Sequence, residues 1–239
     1  MISSNRVLAI GEIAVGMNVG ITYDPNHLED EINKYNIVME TYKESNPGSR
    51  VSTIDIPYSP LLGFNFRYQF NYLLFRLGCH LAKPVYTEGS ITPLGGVKNK
   101  IRVTTYQNSY PLSIGFILPL KERTYFFMGV GLAYNQAYVK INQSVPSQSS
   151  SLFSGAGLST NRRDRYTQDF AGYHLIFGAE VPINKRFTVS TEWIHQEGRS
   201  YPLNNGGIDE SGNEIILPRR TINVEGDFIL FGVNYYIKI

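Results

Sequence analysis

Apolar and polar residues alternate with a period of two in segment after segment of this chain, the pattern of half-buried β-strands rather than of helices. In residues 13 to 23, Ile13, Val15, Met17, Val19, Ile21 and Tyr23 share one face, and Ala14, Gly16, Asn18, Gly20 and Thr22 share the other. A second strand over roughly 54 to 69 sets Leu62, Phe64, Phe66 and Tyr68 against Gly63, Asn65, Arg67 and Gln69. After a turn near Phe70 and Asn71, a third strand from about Tyr72 to Ala82 sets Leu73, Phe75, Leu77, Cys79 and Leu81 against Leu74, Arg76, Gly78 and His80. A fourth ends at Pro119, with Tyr110, Leu112, Ile114, Phe116 and Leu118 on one face. The fifth begins near Thr124 and carries Phe126, Met128, Val130, Leu132, Tyr134 and Tyr138. Tyr173 to Ile183, Phe187 to Trp193 and Phe231 to Ile239 complete a set of eight.

The links between these strands alternate in length. Those near 70, 119 to 124 and 182 to 186 are short, whereas residues 24 to 51, 84 to 101, 140 to 165 and 198 to 221 are long, polar and rich in Gly, Pro, Ser or Asn. In an antiparallel array such sorting places all long loops at one end and all short turns, with both termini, at the other. The expected fold is therefore all-β: a closed antiparallel eight-stranded up-and-down transmembrane barrel, with short periplasmic turns and long extracellular loops. One face of each strand is aliphatic and aromatic over about ten residues, the length a tilted strand needs to cross a bilayer. Closure satisfies every backbone donor and acceptor, as hydrocarbon demands.

Composition sharpens this expectation. Seventeen Tyr, thirteen Phe and one Trp in 239 residues are many, and several fall toward strand ends, where interfacial girdles form. No uninterrupted apolar stretch is long enough for a membrane-spanning helix. The net charge of +2 gives no reason to expect nucleic acid as a partner. Cys79 is the single cysteine, which excludes an intrachain disulfide and a thiolate zinc cluster. It does not pair with His80 as nucleophile and base, because adjacent strand residues point to opposite faces. Residues 1 to 16 lack the long apolar core of a secretory leader; the barrel reading makes a removed signal peptide the expectation, with 1–239 as one domain.

The pieces GFILPLKERTYFFMGVGLAY at 115 to 134, FGAEVPINKRFTVSTEW at 177 to 193 and FILFGVNYYIKI at the C-terminus resemble the small eight-stranded outer-membrane barrels of Gram-negative-type bacteria, among them the OmpA-like, OmpX-like and OmpW-like groups. The resemblance runs as a pattern from Ile13 to Ile239. It implies a bacterial outer-membrane location with both termini periplasmic, and contacts with outer-membrane lipid or lipopolysaccharide.

Eight strands enclose an interior that side chains can fill. The alternation sends Glu12, Arg67, Arg76, His80, His174, Glu180 and Glu192 inward, and buried charges persist when paired or hydrated. An internal arginine and glutamate network blocking any wide pore is expected. Acid and base catalysis by these carboxylates and histidines is the alternative, but no local motif identifies a triad, so no enzyme is expected, and no cofactor or metal. In the loops, Arg162, Arg163 and Arg165 suit anionic sugars or a protein partner, or merely lie near headgroups. Residues 27 to 44 suit a short helix or an extension of the first hairpin. The leading function is a monomeric structural or surface-binding envelope protein. An OmpW-like conduit for small hydrophobic molecules is the alternative, with Leu74, Ile117, Phe127, Phe170 and Ile176 in its lumen; a membrane-embedded hydrolase or a lipocalin-like binder ranks lower.

Overall fold

A computed structural model describes residues 11–23, 28–121, 124–144, 162–198, 204–208, 213–215 and 226–237. The elements are β1 (Glu12–Tyr23), α1 (Glu29–Ser45), β2 (Arg50–Ser52), β3 (Tyr58–Phe70), β4 (Leu73–Ala82), β5 (Val85–Thr92), β6 (Asn99–Lys121), β7 (Thr124–Ser144), β8 (Arg162–Pro182), β9 (Phe187–Gly198), β10 (Asn204–Ile208), β11 (Glu214–Ile215) and β12 (Gly226–Ile237). The fold is all-β and dominated by one sheet. No helix among the described residues is long and apolar enough to cross a membrane.

Eight of the strands are linked in one continuous cycle of antiparallel pairs. Pairing runs β1 to β3, β3 to β4, β4 to β6, β6 to β7, β7 to β8, β8 to β9, β9 to β12, and β12 back to β1. The two-residue link between β3 and β4 turns at Asn71, whose φ of 53° lies in the left-handed region that Asn tolerates. The ends of β1 and β12 lie beside this turn, with Ile13 opposite both Tyr68 and Ile237.

Around this ring the apolar side chains point outward. Val15, Met17, Val19, Phe64, Phe66, Leu77, Leu112, Phe116, Met128, Leu132, Phe177 and Phe231 are exposed. Along β7 the outward apolar run from Phe126 to Tyr134, continued to Thr124, spans about ten residues. At ~3.4 Å per residue and a tilt near 40°, that covers roughly 25 Å of height, the thickness of a membrane-barrel apolar band.

Three strands run past the ring. The upper parts of β6, β7 and β8 stay paired to one another from Lys100 and Ser144 downward and recruit β5 and β2 on one side, β10 and β11 on the other. Segments 84–101 and 140–165 therefore are not simply loops: they contain β5 and the outer ends of β6, β7 and β8. The sixth predicted strand likewise begins at Arg162 rather than Tyr173, and the second begins at Tyr58.

Of the two expectations for residues 27 to 44, the helix is what forms, as α1. Its first turn holds Glu29, Asp30 and Glu31 and its last turn Lys43, the charge order that the helix dipole favours. Ile32, Tyr35 and Met39 fall on one stripe and are buried against Ile91, Ile101, Val103, Val139, Ile141 and Tyr166 on the inner face of the extended sheet, and against Ile54 in the link between β2 and β3. A 17-residue helix is thus anchored above the ring by a conventional apolar core.

Candidate functional site

The ring interior is where sequence alternation brings the charges together. In strand order, β8 stands diametrically opposite β3, and β9 opposite β4. The ion pairs join these opposite walls: Arg67 on β3 reaches Glu180 on β8 and Glu192 on β9, while Arg76 on β4 reaches Glu192 at 2.8 Å. Arg67 and Glu180 have no exposed surface, and Arg76 and Glu192 are 1% and 2% exposed. Two guanidinium groups and two carboxylates balance in charge, the condition under which such groups tolerate burial.

Hydrogen bonds fill out the shell of Glu180. Glu180 also accepts from Thr188 Oγ1 at 2.5 Å, Tyr236 Oη at 2.5 Å and Asn234 Nδ2 at 3.2 Å. Arg67 donates through Nε to Asn65 Oδ1 at 3.0 Å, and Asn65 donates to Asn18 at 3.1 Å. The Arg67 guanidinium lies 5.2 Å from the Phe127 ring centre, so an aromatic face covers the cation. Toward the short-turn end, Gln69, Tyr125 and Tyr236 form a polar floor, with the two phenol oxygens 2.7 Å apart and Gln69 Nε2 donating to Tyr236 at 2.9 Å.

The histidines sit on the rim of this network. His80 Nε2 accepts from Arg76 Nη2 at 3.1 Å, which leaves the ring proton on Nδ1. His174 meets Ser113 Oγ at 2.7 Å through Nε2. Glu12 lies apart from the arginines: it is half-buried at the end of β1, opposite Gln69. Both buried glutamates are held by guanidinium groups. Among the described residues no group of three or more His, Cys, Asp or Glu has the arrangement to hold a metal ion.

Beyond the charged groups expected inside, the uncharged Asn65, Gln69, Tyr125, Thr188, Ser190, Asn234 and Tyr236 belong to this network. The same alternation marks them as inward. Leu74, Ile117, Phe127 and Ile176 are buried inside as expected, but they pack with Leu61, Tyr125, Ile194, Phe228 and Leu230 into a small apolar cluster. Phe170 packs with Ala137 higher up.

Two surface features accompany the interior. An apolar groove of about 760 Å³ lies on the ring wall around Ala179 and Thr191, small residues flanked by Phe126, Met128, Phe177 and Trp193. On the extended sheet, Arg163 and Arg165 are exposed, and Arg165 lies 5.5 Å from the Tyr138 ring centre. The Arg162 side chain lies outside the described residues, as do residues 145–161 of the segment read as a basic loop.

No protein-family model matches the chain, and no curated protein matches it in sequence. Solved structures do resemble it. A major outer membrane protein from Thermus thermophilus is 10% identical with a TM-score of 0.56, over 95% of this chain and 99% of that one. Ail, the attachment invasion locus protein of Yersinia pestis, is 9% identical with a TM-score of 0.45, over 95% of this chain and 99% of that one. The neisserial surface protein NspA is 10% identical with a TM-score of 0.40, over 93% and 96%. The chain has the β-stranded fold of bacterial outer-membrane proteins.

Proposed function

We propose that the chain is a closed eight-stranded barrel spanning a bacterial outer membrane, with its termini on the periplasmic side and its lumen plugged. In this reading it is not an enzyme; it anchors the β6–β8 extension and α1 above the membrane as a surface-binding or structural element. The observation that carries the reading is the set of ion pairs between opposite walls. Arg67–Glu180 and Arg76–Glu192 each cross the full ring, and a solute path along the axis would have to break them. The outward apolar belt supports the membrane location, because an apolar surface of this extent in water would drive association.

The hydrophobic conduit is the second reading, favoured by the groove around Ala179 and Thr191. Against a lateral opening there, Phe127 sits directly on Gly178: a Cβ at that glycine would lie 2.2 Å from the Phe127 ring. Phe127 occupies the space behind Gly178, and the groove also touches the inward residues Ile117 and Glu192.

Reconstitution in planar bilayers tests the reading. Conductance near the baseline for the full chain, with a rise in the double variant Glu180→Gln, Glu192→Gln, is the expected result. A wide open channel in the unmodified chain would overturn the plug, and a monomer that stays soluble without detergent would overturn the membrane reading.

A further inference from the structure

Two buried histidines, His80 on β4 and His174 on β8, stand beside the plug, and their partners differ in kind. His174 Nε2 meets the Ser113 hydroxyl at 2.7 Å. A hydroxyl donates to a bare ring nitrogen or accepts from a protonated one, so that contact survives in either charge state. His80 Nε2 meets Arg76 Nη2 at 3.1 Å. A guanidinium only donates and keeps its charge, so this contact exists only while Nε2 of His80 carries no proton.

The same Nη2 is the atom that braces β4 against β9, 2.8 Å from Glu192. Glycines on the inner wall make room for the contact. A Cβ at Gly63 would lie 3.1 Å from His80 Cδ2, and one at Gly78 would lie 3.0 Å from Arg76 Nη1 and 3.4 Å from His80 Nε2. The charged and titratable groups on the walls around His80 are Arg67 on β3, Arg76 on β4, His174 and Glu180 on β8 and Glu192 on β9, with Tyr125 and Tyr236 at the short-turn end. β1 and β6 present the uncharged Asn18 and Ser109, and β12 the ring of Phe228, 6.1 Å from the imidazole. Two arginines already balance two glutamates, so a proton on His80 would add an uncompensated charge beside a guanidinium, in a buried site where that is most costly.

We propose that His80 is an acid-sensitive latch on the plug, closed while its imidazole is neutral and released when Nε2 takes a proton. The proposal rests on the plugged-barrel reading and adds a regulation to it. The closed contact excludes a proton that the released imidazole accepts, so opening is coupled to the uptake of one proton. The open fraction then rises by up to about tenfold for each pH unit below the ordinary imidazole value of about 6.5. Neither Glu180 nor Glu192 has to be protonated for this to happen.

Planar-bilayer recordings of the full chain from about pH 7.5 down to about pH 5 test this, a range that crosses the ordinary imidazole value and stays above the ordinary carboxylate ones. The time spent open by the unmodified chain should increase about thirtyfold over that range, the yield of one linked proton. His80→Gln and His80→Asn each keep an acceptor for Arg76 but take no proton, and their response should be at least about tenfold smaller. His174→Gln should keep most of the rise. Heat-modifiable gel migration identifies the variants that have folded, and either folded His80 variant suffices for the comparison. A flat response in the unmodified chain, or an equal rise in a folded His80 variant, would overturn the latch and leave the plug standing. A wide conductance already present at the neutral end of the range would instead overturn the plug on which the latch depends.

Discussion

The lower and upper halves of β7 use the same backbone alternation with opposite polarity. Between Thr124 and Tyr134, Phe126, Met128, Val130 and Leu132 are outward and exposed, while Gly129 and Gly131 line the inside. Between Asn135 and Ser144, Val139 and Ile141 are inward and buried, while Gln136, Lys140 and Asn142 face out. The strand does not twist its pleat to do this; in the proposed membrane reading, the solvent changes. Below the tyrosines the outside is read as hydrocarbon and the inside is polar, whereas above them the outside is water and α1 supplies an apolar inside. β6 repeats the switch, with Ile114 and Phe116 outward below and Ile101 and Val103 inward above. The ring is held by polar struts, the extension by an ordinary hydrophobic core, and each fails in its own way.

The sharpest break is expected at Glu192, a carboxylate shared by Arg67 and Arg76. Glu192→Ala leaves both cations under-compensated in a buried site and should cost roughly 3–5 kcal/mol, seen as a lowered urea midpoint for the folded band in vesicles. Removing Met39, fully buried beneath α1, should cost about 2–5 kcal/mol as Met39→Ala. That loss should fall on the extension alone: proteolysis of residues 28 to 60 should accelerate while the ring's heat-modifiable migration stays unchanged. Unfolding of both regions together in either variant would erase the distinction between them.

Outward substitutions test the change of solvent directly. Val130→Arg, in the middle of the belt, should destabilise by about 2–4 kcal/mol if the belt meets lipid. Ile37→Arg, on the exposed side of α1, should stay within about 0.5 kcal/mol. The comparison is made by urea titration of both variants in the same vesicles, and equal effects would sink the two-solvent account. The smallest effect belongs to Glu88. Its carboxyl is held below the usual range by Arg102, so its contribution is present above the ordinary carboxylate value and disappears as pH falls through the lowered one. Glu88→Gln should flatten the acid side of the extension's stability profile, measured by amide exchange in β5.

Much of the ring was legible because period-two alternation with large residues on one face is itself the signal of a strand with an apolar exterior. The inward positions of Arg67, Arg76, Glu180 and Glu192 followed from that phase. The upper halves of β6, β7 and β8 were not legible in the same way, since a reader following the outward apolar row loses it at Tyr134 and Tyr110. What continues is the other row, Ala137, Val139 and Ile141, and the burial of Val139 and Ile141 depends on a helix more than ninety residues earlier in the chain. The Asn, Ser and Thr partners of the network escaped because uncharged polar residues are common on any lumen wall, and only the cross-ring distances show which of them touch Glu180.

The unbroken passage of β7 from belt to extension gives the molecule a ruler. The ten residues from Tyr134 to Ser144 measure roughly 33 Å along the strand, and β6 and β8 brace them on either side. A linker would let α1 wander, whereas three continuous strands fix its distance and facing relative to the ring, and so, in the proposed reading, to the bilayer. A partner large enough to touch both α1 and the headgroups would therefore have to match one height, and lengthening β6, β7 and β8 together by two residues would raise that height without changing which side chains face it.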